Sequence, residues 1–190
     1  MLCLPMITID PPGSFSPEAP TQTKRLPLSK VALTRFLKRA QMAVGLPGEV
    51  SLLLTDDGRM RQLNREFRGK RKTTDVLSFP APEIPGLPPD HQHAGDLVIS
   101  LDVAAAQAEQ FGHTLNVELR VLLLHGLLHL AGMDHEADAG EMQRRELLLR
   151  EELKLPGGLI ERSSEAAARP RRVRPGVAVA TATTKRRTRL

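Results

Sequence analysis

The chain has no tryptophan and no tyrosine, and only five phenylalanines. A surface that stacks single-stranded bases would have to rely on Phe or on Arg guanidinium planes. The single cysteine, Cys3, excludes an internal disulfide, removes thiolates from any metal site and is compatible with a reducing, cytoplasmic setting. The most apolar run, Val121 to Met133, is too short to span a bilayer and contains two histidines, so no membrane role is expected. Met1 to Asp10 has no basic leader and breaks at Pro5, which does not read as a secretory signal; Met6 is an alternative start. Internal repeats are absent.

Positive charge is present but unevenly placed. The net charge is +5. Residues 156–190 carry nine Lys or Arg against two Glu, whereas residues 1–155 carry 18 basic and 20 acidic residues. The high pI therefore belongs to the tail, which is rich in Arg, Ala, Thr and Pro, lacks any period and reads as disordered. Inside the body one window is basic: Arg59, Arg61, Arg65, Arg68, Lys70, Arg71 and Lys72, with Glu66 as its one acid. Such a patch on a near-neutral body can attract a polyanion.

Periodicity gives the elements. Met6–Asp10 alternates as a short strand, and residues 11–27 are a proline-rich loop. Ser29 caps a helix whose Leu33, Phe36, Leu37, Ala40 and Val44 share a face, ended by Gly45 and Pro47. Glu49–Thr55 alternates as a strand. Asp56 or Asp57 caps a second helix, with Met60, Leu63, Asn64 and Phe67 on one face and Gly69 as its stop. Strands follow at Thr74–Pro80 and Gly95–Leu101, with no helix between them, which predicts an antiparallel pair separated by the irregular loop Ala81–Ala94. Asp102 is expected to cap the helix Val103–Phe111. Thr114 opens a long helix that is apolar nearly all round and hence buried. Asp138 is expected to cap a last helix, Ala139–Leu153, with Met142, Leu149 and Leu153 inward.

The order predicts a single α/β domain over residues 6–155. It has a mixed sheet of about four strands, flanking helices and a buried central helix carrying a metal motif.

That motif is His125-Gly126-Leu127-Leu128-His129-Leu130-Ala131-Gly132-Met133-Asp134-His135. Histidines four apart project from one helix face and can reach one ion. Gly132 can take the left-handed conformation that ends the helix, and the returning chain brings His135 as a third nitrogen. Three imidazoles suit zinc and leave a fourth position for water, the mark of a catalytic site. The spacing is that of the metzincin zinc peptidases, but Gly126 stands where those enzymes carry their glutamate base. Asp134 can orient a ligand from behind or shape the turn. His91 and His93 are expected in solvent, and His113 at a helix junction.

Three segments in order resemble the YbeY family of bacterial rRNA maturation endoribonucleases. Leu63-Asn64-Arg65-Glu66-Phe67-Arg68-Gly69-Lys70 is similar to the family's Leu-Asn-x-x-Tyr-Arg-Gly-Lys. Thr74-Asp75-Val76-Leu77-Ser78-Phe79-Pro80 and Gly95-Asp96-Leu97-Val98-Ile99-Ser100 follow, and then the histidine motif. Phe67 departs from the usual Tyr, and Thr73 from the usual Pro. The resemblance implies one zinc ion per chain held by His125, His129 and His135, and a catalytic arginine at Arg68. It also implies single-stranded RNA as substrate, met by Arg65, Arg68, Lys70, Arg71 and Lys72. The expected work is on the 3′ end of small-subunit rRNA, with the small ribosomal subunit and its assembly factors as partners. Two other readings stand beside it: a zinc peptidase on the same ligand frame, and a non-catalytic ribosome-assembly factor with a structural zinc.

Overall fold

The computed structural model describes residues 6–10 and 29–156. The proline-rich segment 11–27 and, beyond Pro156, the basic tail lie outside the described residues. The elements are β1 (Ile7–Ile9), α1 (Lys30–Val44), β2 (Glu49–Thr55), α2 (Asp57–Arg68), β3 (Val76–Pro80), β4 (His93–Ser100), α3 (Leu101–Gln110), α4 (Leu115–Leu130) and α5 (Glu141–Leu153), with one 3-10 turn at Pro89–His91.

The strands form one sheet in the order β1-β2-β4-β3. β1 and β4 run parallel to β2, and β3 runs antiparallel to β4, with Val76 opposite Ile99 and Pro80 opposite Gly95. The mixed sheet and the antiparallel pair are those expected from the strand spacing, and β3 is an edge strand.

Alternation along the strands sorts side chains to two faces. Leu52, Leu54, Leu97, Ile99 and Val76 join the main core with α1, α4 and α5. Their neighbours Val98 and Leu77, with Leu53 and Phe79, pack instead with Met60 and Leu63 of α2. The molecule therefore has three layers, with α2 on one face of the sheet and α4 on the other. No helix among the described residues is long and apolar enough to cross a membrane.

α4 is the centre of the main core. Leu119, Leu122, Leu123, Leu124, Leu127 and Leu128 have no exposed surface. Each contributes roughly 1.5–3 kcal/mol of burial, against about 0.5–1 kcal/mol of lost side-chain freedom. The helix comes closest to the sheet at Gly126. A Cβ there would meet Leu97 Cδ2 at 2.8 Å, and Ser78 Oγ and Val76 Cγ2 at 3.3 Å. The Ser78 hydroxyl donates to the Gly126 carbonyl at 3.2 Å.

Several expectations are corrected. β4 begins at His93, inside the segment read as loop, and ends at Ser100, so Asp102 does not cap α3. Strand passes directly into helix, and the hydroxyl that meets the first free N–H is Ser100 Oγ, which accepts from Val103 N. The Asp102 carboxylate accepts from Asp57 N at 3.0 Å, joining the starts of α2 and α3. Asp56, rather than Asp57, caps α2. The N-cap of α5 is the left-handed Gly140 rather than Asp138, and the helix starts at Glu141 rather than Ala139; the Asp138 carboxylate still accepts from the backbone N–H of Met142, Gly140 and Glu141. Those N–H groups hold the Asp138 carboxyl below the usual carboxylate range. Phe67, expected on the inner face of α2, is 60% exposed. His91 is exposed, His93 pairs with Asp96 at 3.0 Å, and His113 lies between α3 and α4, 3.1 Å from the buried Glu118.

Substituting Gly126→Val should cost about 1–3 kcal/mol through overpacking between α4 and the sheet. The expected readout is a lower urea midpoint with an unchanged slope. A midpoint equal to that of the wild type would show that the layers have room to separate.

Candidate metal centre

The three histidines converge. α4 presents His125 and His129 one turn apart, and Gly132, at φ +84°, turns the chain back. The turn is closed by Gly132 N donating to His129 O at 3.0 Å and Met133 N donating to Leu128 O at 3.1 Å. His135 then faces the pair. One ring nitrogen from each histidine lies within 4.8 Å of the others. The Nε2 atoms of His125 and His129 are 3.1 Å apart, close to the spacing of about 3.4 Å for two imidazoles on one tetrahedral ion with bonds near 2.1 Å. Without an ion, one of those rings must donate a proton to the other. An ion shared by both removes that requirement, so the donor set fits a first-row metal.

Electrostatics favour the neutral form that binds metal. Burial first, then the neighbouring His125 and His135 imidazoles, push the His129 pKa below its ordinary value. A backbone hydrogen bond at Met133 and the Asp134 carboxylate partly oppose this.

Behind His125 lies a residue that the sequence reading missed. Glu146 of α5 is buried, and its Oε2 is 3.6 Å from His125 Nδ1, on the ring side away from His129. That is an ion-pair distance rather than a hydrogen bond. It is also the side from which a carboxylate orients a metal-bound imidazole. The signal was available: with Met142, Leu149 and Leu153, Glu146 completes the buried stripe of α5, and a carboxylate on an apolar stripe needs a partner.

The histidines form one wall of a cleft of about 660 Å³, within the range of ligand sites. Phe67 and Arg68 at the end of α2 line it as well, with Thr74, Asp75 and β3. Asp134 and Glu136 also line it. The Asp134 carboxylate accepts from Glu136 N at 3.0 Å, and its carbonyl accepts from Ala137 and Asp138 N, so it shapes the turn that delivers His135.

Arg68 is placed by its surroundings. Gly69 ends α2 in the left-handed conformation, and buried Asn64 donates from Nδ2 to Lys72 O at 2.7 Å, pinning the turn that follows. Arg65, Lys70, Arg71 and Lys72 are exposed near this turn but do not line the cleft. Asp75 lines it with both carboxylate oxygens engaged: Oδ1 accepts from Val76 N and Thr74 Oγ1, and Oδ2 accepts from Gln107 Nε2.

Three imidazoles that converge beside a buried helix, in a cleft that Arg68 also lines, define an α/β domain with a group that could hold a metal ion. The position beside the first histidine is filled by the sheet contact of Gly126, so the glutamate of a zinc peptidase has no room there.

Comparison with known proteins then narrows the class. The family model for endoribonuclease YbeY matches residues 19–154. Curated proteins named endoribonuclease YbeY include one from Koribacter versatilis (strain Ellin345), 51% identical over 140 residues, covering 74% of this chain and 88% of that protein. A second, from Solibacter usitatus (strain Ellin6076), is 48% identical over 150 residues, covering 77% and 97%. A third, from Nautilia profundicola, is 49% identical over 117 residues, covering 62% and 81%. The chain belongs to the endoribonuclease YbeY family.

The depressed His129 pKa sets an acid limit on the metal-free protein. As pH falls, the unfolded chain takes up this proton first. The stability is full above about pH 6.5 and is lost as pH falls through the folded value. Melting temperatures of metal-free wild type should drop as pH falls below about 6.5, and His129→Gln should flatten that slope. Parallel slopes in the two proteins would show that His129 titrates as an ordinary histidine.

Proposed function

We propose that this chain is a zinc-dependent endoribonuclease that cuts single-stranded RNA during maturation of the 3′ end of small-subunit rRNA. Its setting would be the cytoplasm, with the small ribosomal subunit and its assembly factors as partners. The observation that carries this reading is the cleft in which His125, His129 and His135 face Arg68 across the edge strand β3. Family membership supports the reaction class.

The residues divide the work. His125, His129 and His135 would hold one zinc ion, with the Glu146 carboxylate behind His125 fixing its ring. A zinc ion held there would supply Lewis-acid chemistry, activating water at about neutral pH and polarising a phosphoryl oxygen. Arg68 has the planar fork that matches two phosphate oxygens, and from the cleft lining it stabilises charge developing on the phosphorane. Arg65, Lys70, Arg71 and Lys72 extend the positive field outside the cleft and attract the RNA backbone through counterion release. The net +7 of residues 156–190, nine basic against two acidic, adds to that field. A structural zinc is disfavoured, because three protein ligands facing a cleft leave the coordination open.

The metal assignment is tested on His129→Ala with RNA oligonucleotides and casein as rival substrates. The variant should lose stoichiometric zinc and all RNA cleavage, and the wild type should leave casein intact. Full zinc occupancy in the variant, or chelator-sensitive proteolysis by wild type that His125→Ala abolishes, would overturn the assignment.

Arg68 and the tail should separate kinetically. Arg68→Ala should keep fold and zinc and lower kcat by about 10²–10³-fold, with a smaller change in KM. Removing residues 158–190 should raise KM and flatten its salt dependence, with kcat near wild type. Both variants are measured across a salt series. Wild-type kcat in Arg68→Ala would place the chemistry elsewhere.

A further inference from the structure

Phe67 is an apolar ring kept in water. It is 60% exposed, although the same helix buries Met60 and Leu63 against the sheet. Its ring meets Phe79 of β3 edge-on, with centroids 5.1 Å apart and planes at 68°. That contact braces the ring and leaves most of the residue exposed, and Phe67 lines the cleft. The other described phenylalanines do not line the cleft: Phe36 is buried in the core, and Phe111 stacks on His113 at the junction of α3 and α4. The two rings in the cleft therefore account for all of its Phe, Tyr and Trp side chains among the described residues.

Position gives the ring a meaning. Phe67 and Phe79 pack on the α2 side of the sheet and the histidines lie on the α4 side, with the edge of β3 between them. A strand of RNA reaching the histidines and Arg68 together must cross that edge. Phe67 and Arg68 both line the cleft that the histidines line.

We propose that Phe67, braced by Phe79, is a stacking platform for the nucleobase next to the scissile phosphate, and that it gives the enzyme its preference for single strands. A base inside an A-form duplex has its faces covered by neighbours and cannot lie on the ring. A base in a single strand can. Every base has a π-face, so the platform selects strandedness and tolerates sequence. This rests on the endoribonuclease reading, and its test separates the two.

The experiment uses the full zinc-loaded chain and single-stranded RNA oligonucleotides, intact or with one abasic site stepped through the positions around the mapped cut. Phe67→Ala, Phe67→Leu and Phe67→Tyr are compared with wild type. Zinc content and far-UV circular dichroism should match in all four, because the side chain is exposed. Phe67→Ala should raise KM by about 5- to 150-fold, the range for loss of one stacked base. Phe67→Leu, which keeps bulk without a π-face, should resemble it, and Phe67→Tyr should stay near wild type. One abasic position should impose a similar loss on wild type and no further loss on Phe67→Ala, the non-additivity expected of two groups in one contact. Wild-type KM in Phe67→Ala, or equal losses on intact and abasic RNA, would overturn the platform while leaving the nuclease in place. A wild type that cuts no RNA would overturn the nuclease reading and the platform with it.

Discussion

Burial of α4 on nearly every side is the constraint on which the rest depends. A metal centre needs its ligands held to within about half an ångström, and two histidines on an exposed helix would lack that fixity. Here the leucines on either side of them, Leu124 and Leu128 among others, are locked in the core. The helix can neither rotate nor slide without opening the molecule. The direction of His125 and His129 is thus a consequence of hydrophobic packing, and Gly126 sets how deep the helix sits. The left-handed Gly132 is the second part of the device, since it ends the helix early enough for His135 to return to the same point.

The same burial has an electrostatic consequence. Three imidazole rings converge within 4.8 Å, and protons on neighbouring rings repel one another. The site resolves this by disfavouring the proton on His129, and a neutral imidazole is the form that binds a metal. Arg68, on the end of α2, also lines the cleft and stands in solvent. The arrangement keeps the permanent cation out of the core and disfavours the proton on His129.

Much of this was legible in the sequence, and the exceptions share a cause. Strands β1 and β2, the antiparallel pairing of β3 with β4 and the histidine frame all follow from local spacing, which is what periodicity reports. The start of β4 at His93 did not, because it is set by pairing with Glu49 across the sheet. Ser100 displaced Asp102 as a cap because the sheet carries the strand to the helix without a loop. Glu146 has no signature of its own in local spacing, and its carboxylate comes near His125 only because α5 packs behind that ring. Phe67 has the spacing of a core residue, and only the position of the cleft explains why it stays in water. Arg68 carries no signature in spacing alone; in the fold it lines the cleft, beside the turn that Asn64 pins.

Topology explains why the site lies where it does. α2 and α4 are on opposite faces of a sheet, and side chains from opposite faces ordinarily cannot meet. They can meet around an edge. Had β3 been inserted between β2 and β4, the sheet would have separated Arg68 from the histidines. The order β1-β2-β4-β3 leaves β3 outermost, so its residues line the cleft with both faces: Val76 and Ser78 towards α4, Leu77 and Phe79 towards α2. In zinc peptidases of the same ligand spacing the base comes from the metal-bearing helix itself. Here that helix position is committed to packing against Leu97 and Val76, and the arginine that lines the cleft belongs to a helix on the other face of the sheet. The frame of histidines is shared with peptidases. What the frame can do is decided by one glycine and by which strand is outermost.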